Sequence, residues 1–153
     1  MKILVMSDSH GSKNNMLSAI SLESPDWIFH LGDNDRDCGD ITTLYPDIPL
    51  RTVRGNCDRL SPGIDVDEFE LEGKRFLMTH GHLYGVKSGK ARIISVAKEK
   101  GVDVLLFGHT HIPHYSVLDN LTIINPGSIN SGAKYYAVLE IKNGALSCEL
   151  KVL

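Results

Sequence analysis

No stretch of this 153-residue sequence is apolar for long enough to span a bilayer. The opening run, Met1-Lys2-Ile3-Leu4-Val5-Met6, is too short for a signal peptide and is broken at once by Ser7-Asp8. A basic surplus is missing too. The formal net charge is −3 and the pI about 6.1, so no global positive field draws the chain to nucleic acid or anionic lipid. No basic tract with interleaved aromatics is present, which disfavours long polynucleotides as ligands. Cysteine is scarce: Cys38, Cys57 and Cys148 are odd in number and lack CxxC spacing. That excludes a disulfide framework or a zinc knuckle and suits a reducing cytosol. There is no internal repeat, low-complexity tract or linker. The expectation is one cytoplasmic domain over residues 1–153, with 42% hydrophobic residues to build a core and 23% charged residues, an ordinary globular balance.

The apolar pattern predicts alternating strands and helices. Ile3 to Met6 is a continuous apolar run with β-branched members, expected as a strand buried on both faces. Ser12 to Ser24 carries Met16, Leu17 and Ile20 at helical spacing and closes before Pro25. Trp27 to Leu31 predicts a second strand, Asp40 to Tyr45 a short helix, and Leu50 to Val53 a third strand. The second half predicts a hairpin, Val66 to Leu71 and Arg75 to Thr79, turned at Glu72-Gly73. A helix over 89–100 stops at Gly101, and a buried strand runs from Val104 to Phe107. Asp119-Asn120 and Asn143-Gly144 punctuate further strands up to Val152. The first half implies a parallel α/β sheet with its site along the carboxyl edge. For the whole chain, two sheets packed face to face with helices outside is the simplest architecture.

Five short polar clusters follow apolar runs: Asp8-Ser9-His10, Gly32-Asp33, Gly55-Asn56-Cys57-Asp58, His80-Gly81-His82 and Gly108-His109-Thr110-His111. Residues two apart on extended chain point to one side, so a single strand end can offer two ligands together. Alone, an Asp-x-His can be a helix cap, a Gly-Asp a turn, and a His-x-His a chance pairing. Five such clusters at successive strand ends predict a site for two divalent ions. Carboxylate and imidazole donors without thiolate suit Mn, Fe, Zn, Ni or Co, and this mixture is typical of two-metal hydrolytic sites.

With these clusters the chain resembles the calcineurin-like metallophosphoesterases, and most of all their small YfcE-type phosphodiesterases. The likeness extends through Asn125-Pro126-Gly127-Ser128 and Tyr136-Ala137-Val138-Leu139-Glu140-Ile141. It implies a four-layer αββα sandwich and two divalent ions per chain, with Mn²⁺ preferred and Ni²⁺, Zn²⁺ or Fe as substitutes. It also implies that Asp8, His10, Asp33 and His111 hold one ion, and Asp33, Asn56, His80 and His109 the other, with Asp33 bridging. The implied reaction is hydrolysis of a small phosphodiester by a metal-activated hydroxide.

Asp33, Asn56, Cys57, Asp58 and His82 are the catalytic candidates. Many relatives carry histidine at the position of Cys57, held to protonate the leaving group. Cysteine cannot become a cation and is a weaker hydrogen-bond partner, so Cys57 reads better as a space-filler beside the metals. Asp58 is expected to orient its loop or a neighbouring ligand, and His82 to line the phosphate pocket or simply to cap the loop before Tyr84. His30 reads as a satisfied core histidine, His114 as surface, and Asp35, Asp37 and Asp40 as a solvated loop face. Ser128 is a candidate substrate contact. Two other functions compete: a protein-binding scaffold of the retromer-subunit type, which an intact ligand set disfavours, and a nuclease or cyclic-nucleotide phosphodiesterase. No membrane partner is expected, and a homo-oligomer is compatible with the sequence.

Overall fold

Along Ile3-Leu4-Val5-Met6 alternate side chains point to opposite faces, and all four are fully buried. Such a strand needs apolar cover on both sides. The computed structural model, which describes residues 1–130 and 132–153, supplies it with two stacked sheets and helices on their outer faces. The elements are β1 (Lys2–Met6), α1 (Lys13–Glu23), β2 (Trp27–His30), α2 (Cys38–Leu44), β3 (Leu50–Thr52), β4 (Val66–Leu71), β5 (Lys74–Thr79), α3 (Ala91–Glu99), β6 (Val104–Leu106), β7 (His114–Leu118), β8 (Leu121–Asn125), β9 (Tyr135–Lys142) and β10 (Ala145–Val152).

One sheet has the order β10-β9-β1-β2-β3 and the other β4-β5-β6-β8-β7. Ile3, Val5, Phe29 and Leu31 from the first meet Phe76, Met78, Val104 and Leu106 from the second in the central core. The alternate residues Leu4, Met6 and Ile28 turn outward onto Met16, Ala19 and Ile20 of α1 and Ile41 of α2. On the far side Leu77, Leu105 and Ile123 pack against Ile93 and Ala97 of α3. The result is the αββα layering, with period-2 strands feeding two cores at once.

The strands of the first half are parallel, as expected, but neither sheet is wholly parallel. β1, β2 and β3 run parallel, but β9 lies antiparallel to β1 and β10 antiparallel to β9. In the second sheet β5, β6 and β8 are parallel, flanked by antiparallel β4 and β7. The cause is local: the three punctuated hairpins form, and Glu72-Gly73 and Asn143-Gly144 both adopt left-handed backbone in their tight turns. The short helix begins earlier than expected, at Cys38, after a 3₁₀ turn over Asp35–Asp37. The polar strand ends from both sheets gather on one edge.

Away from that edge, one buried carboxylate ties the chain's two ends together. Glu23 closes α1 and accepts hydrogen bonds from Tyr136 OH (2.9 Å) and Lys151 Nζ (3.0 Å), with Lys2 Nζ at 3.8 Å. Burial pushes the Glu23 carboxyl up, but Lys151, Tyr136 and Lys2 outweigh it and hold the group below its ordinary value. A depressed carboxyl contributes stability above the unfolded pKa and loses it as pH falls through the folded one. Glu23→Gln keeps the shape and removes the charge, so it is expected to cost about 1–2 kcal/mol near pH 7. Urea unfolding at falling pH should show variant and wild type converging in the acid range; a constant gap would contradict the charge's role.

Candidate metal centre

Five of the seven predicted ligands sit where the backbone turns left-handed: Asp8 (φ 54°), His10 (43°), Asp33 (62°), His109 (67°) and His111 (60°). Non-glycine residues seldom adopt this region, and their clustering marks a place where structure is organised for a site. Close packing holds the turns. A methyl group added at Gly55 would collide with the Asp33 carboxylate, and one at Gly108 with Ser7 Oγ. Glycine at these two positions lets adjoining loops touch.

Asp8 follows β1 and is fully buried. Its Oδ2 accepts hydrogen bonds from Ser7 Oγ (2.5 Å) and the His109 amide (3.1 Å). Its Oδ1 is buried without a hydrogen bond, yet it lies among three imidazoles: 3.0 Å from His111 Nε2, outside hydrogen-bonding geometry, 3.8 Å from His80 Nε2 and 4.0 Å from His10 Nε2. Such an unpaired carboxylate oxygen is costly unless something positive engages it.

Asp33 follows β2. Its Oδ1 accepts the Cys57 amide at 2.9 Å, while Oδ2 lies 3.7 Å from His10 Nε2 and 3.5 Å from His80 Nε2. Two groups able to hold an ion emerge, Asp8–His10–His111 and Asp33–His80–His109, their donor atoms within 4.8 Å of one another in each group. Asp33 also stands with His10 and Cys57 in a third such group, and so adjoins both halves. His80 donates from Nδ1 to the Leu31 carbonyl at 2.7 Å, which aims Nε2 at His109 Nδ1, 3.1 Å away. That outer hydrogen bond fixes the ring, as is common for imidazoles that ligate through the other nitrogen. An orphaned carboxylate oxygen and facing ring nitrogens fit a divalent cation.

The electrostatics agree. Burial pushes Asp33 up, but His80 and the Cys57 amide prevail and hold it far below the carboxylate range. Burial lowers His80, and the carboxylates of Asp33 and Asp8 more than restore it. Burial, then the charges of His80 and Lys87, bring His109 down to about 4. His82 is lowered by burial and by His80, against whose ring it packs with centroids 5.4 Å apart. Its Nδ1 is buried without a partner.

The remaining predicted residues fall in several places. Asn56 and Cys57 are exposed, and the Asn56 amide donates to Cys57 Sγ at 3.5 Å. Burial and the Asp33 charge push the Cys57 thiol up, so it stays protonated at neutral pH. Asp58 does not point at the ligands. Its carboxylate accepts four backbone N–H groups, from Asp33 (2.8 Å), Gly55 (2.7 Å), Asn34 (2.8 Å) and Asp35 (3.1 Å), and so positions the Asp33 loop.

Three expectations need correction. Asp37 is not part of a solvated face: it is buried and accepts from Ser9 Oγ (2.8 Å) and the Gly11 amide (2.9 Å), bracing the Asp8–His10 turn. Ser128 does not face substrate, because its hydroxyl is buried and donates to the Asp8 carbonyl at 2.9 Å. His114 is half-buried rather than surface, with Nε2 2.9 Å from Ser116 Oγ. His30 is the satisfied core histidine expected, 3.1 Å from Ser9 Oγ. The bracing by Ser7, Ser9 and Asn125 was not anticipated; Asn125 Nδ2 donates to the Gly108 carbonyl at 2.9 Å. Only the Asn-Pro-Gly-Ser motif hinted at any of it.

Asp58→Ala leaves those four amides without an acceptor and is expected to cost about 2–4 kcal/mol. Asp58→Asn keeps one acceptor oxygen and should lose less. Equal urea midpoints for Asp58→Ala and wild type would rule out this carboxylate as the clamp.

Over residues 1–144 the chain matches the family model for the calcineurin-like phosphoesterase superfamily domain. It is 34% identical over 152 residues to a probable metallophosphoesterase, YsnB, of Bacillus subtilis, covering 95% of this chain and 87% of that protein. It is 28% identical over 159 residues to phosphodiesterase YfcE of Escherichia coli, covering 85% of this chain and 80% of that protein. The crystal structure of a predicted phosphoesterase from Streptococcus pneumoniae matches with a TM-score of 0.81 and 26% identity, over 99% of this chain and 88% of that one.

Proposed function

Since the chain belongs to the calcineurin-like phosphoesterase superfamily, we propose that its residues 1–153 form one dinuclear metal-dependent phosphodiesterase domain acting on small phosphodiesters. The observation that carries this reading is the Asp33 carboxylate, set between His10 and His80 at 3.7 and 3.5 Å. We assign Asp8, His10, Asp33 and His111 to one ion and Asp33, Asn56, His80 and His109 to the other, with manganese as the activating metal. Held by these residues, divalent ions would supply Lewis acidity, to activate a water and to neutralise phosphoryl oxygens.

The chain's own residues do the rest. Asp33 stays ionised at any working pH, and the Leu31 carbonyl keeps His80 Nε2 turned inward. Asp8 and Asp33 bring two negative charges against four positive, so the loaded site retains attraction for phosphate. We assign contact with a phosphoryl oxygen to His82, whose ring lies beside those of His80 and His109. Free cysteines suit a cytoplasmic setting, and no helix among the described residues is long and apolar enough to cross a membrane.

Elemental analysis should find about two divalent ions per chain and hydrolysis should stop on chelation. Asp33→Asn should lose metal and activity together, whereas His82→Ala should keep its metal and lose less activity. Equal metal loss in the two variants would refute the ligand assignment. Failure to retain any of Mn, Zn or Ni would sink the dinuclear reading.

Cys57 sets the second test. An alkoxide leaving a monoester needs a proton that neither Cys57 nor the fully engaged Asp58 is suited to give, so diesters with good leaving groups are favoured. Cys57→His should raise monoesterase relative to diesterase kcat/KM by roughly tenfold to a hundredfold, and Cys57→Ala should leave diesterase activity standing. A wild-type preference for monoesters, or a dead but metal-loaded Cys57→Ala, would contradict this assignment.

A further inference from the structure

Next to the centre lies a pocket of about 310 Å³ whose floor is Val86 (4% exposed) and Phe107 (1%) and whose walls include Ile112 and Pro113. Thr110, between His109 and His111 in the chain, forms one wall, so the pocket adjoins the loop that carries those two histidines. Its volume suits one small organic group rather than a polymer.

The polar groups around it differ in availability. Thr110 Oγ1 accepts from Asn125 Nδ2 (3.0 Å) and the Ile112 amide (3.3 Å), and His114 turns to Ser116. Both are already engaged. The other two are lysines: Lys87 is exposed and Lys90 half-buried. Among the described residues neither makes an ion pair or a side-chain hydrogen bond, whereas Lys13, Lys98, Lys100, Lys142 and Lys151 each hold a carboxylate. No carboxylate lines this pocket, in a chain whose net charge is −3. The Lys87 charge also reaches His109.

We propose that this pocket receives the second ester arm of the substrate and selects arms that end in an anion, a phosphate or a carboxylate. The apolar floor takes the body of the arm and the ammonium groups of Lys87 and Lys90 take its charged end. The inference rests on the phosphodiesterase reading and names the substrate class for that site. Unpaired cations beside a low-dielectric wall keep more of their attraction than cations free in water.

The test uses the metal-loaded protein and a matched series of nitrophenyl phosphodiesters. The leaving group is constant, and the second arm ends in a methyl, ammonium, carboxylate or phosphate group. Wild type should prefer the two anionic arms over the methyl arm by about tenfold in kcat/KM, chiefly through KM, and should disfavour the ammonium arm. Lys87→Gln and Lys90→Gln should each lower the anionic-to-neutral ratio by about threefold to fivefold, and about 1 M salt should compress it in wild type. A larger preference for phosphate than for carboxylate assigns a second phosphate as the natural end; equal preference assigns an anion of either kind. Hydrolysis of all arms at equal rates, or a preference that survives in the double variant, overturns the subsite and leaves the phosphodiesterase reading intact. Hydrolysis of none overturns both.

Discussion

At the carboxyl edge of the two sheets the backbone must bend into a conformation that ordinary residues avoid, and most of the site depends on how that bend is held. Left-handed backbone at a non-glycine residue costs on the order of 1 kcal/mol or more, and Asp8, His10, Asp33, His109 and His111 all carry it. The compensation is a dense set of hydrogen bonds, most of them from residues outside the candidate ligand set. Asp58 gathers four amides around the Asp33 turn, Asp37 braces the Asp8–His10 turn, and Asn125 and Asp8 hold the Gly108–His109 turn. Each brace is itself buried, where losing a partner is expensive. The loops are therefore held by the chain's own contacts.

That rigidity explains why the charged groups can sit together. Asp8 and Asp33 are both nearly solvent-free, and His80 lies between them with no exposure at all. Buried carboxylates repel one another and lose hydration. Hydrogen bonds satisfy one oxygen of each, from Ser7 and the His109 amide in Asp8 and from the Cys57 amide in Asp33. The second oxygen of each is left toward the imidazoles. The braces consume the half of each carboxylate that a cation does not need.

Much of this was legible in the sequence, but not all of it. Hydrophobic period placed β1, β2, β5 and β6, because a strand buried on both faces leaves a continuous apolar run such as Ile3–Met6 or Val104–Leu106. Polar clusters after those runs named six residues that the fold gathers at the edge, Asp8, His10, Asp33, His80, His109 and His111. Strand direction was legible where helices alternate with strands, as from β1 to β3, but the antiparallel seating of β9 beside β1 was not, since a run of Val and Leu does not say which neighbour it pairs with or in which sense. Asp37 and Ser128 were misread for a related reason. A single polar residue in a loop looks the same whether it faces water or braces a buried turn, and only the tertiary contact with Gly11 or the Asp8 carbonyl decides. The left-handed residues carried no signal either, because the requirement is imposed by the neighbouring loop rather than by the residue itself.

The site also spans the join between the two sheets, and this sets its tolerances. Asp8, His10 and Asp33 come from the first sheet, His80, His109 and His111 from the second. Direct contacts register the halves, among them His80 Nδ1 on the Leu31 carbonyl at 2.7 Å, the His109 amide on Asp8 at 3.1 Å and the Ser128 hydroxyl on the Asp8 carbonyl at 2.9 Å. Beneath them Val5, Phe29 and Leu31 pack against Phe76, Met78 and Leu106. Close-packed interiors transmit small displacements rather than absorb them. A shift of the sheets by a fraction of an ångström would reach the ligand atoms with little loss, because no flexible linker separates β1, β2, β5 or β6 from the residues they deliver. Each candidate ligand group draws on both sheets, so the apolar core helps to set how its members stand relative to one another, while the braced turns aim them.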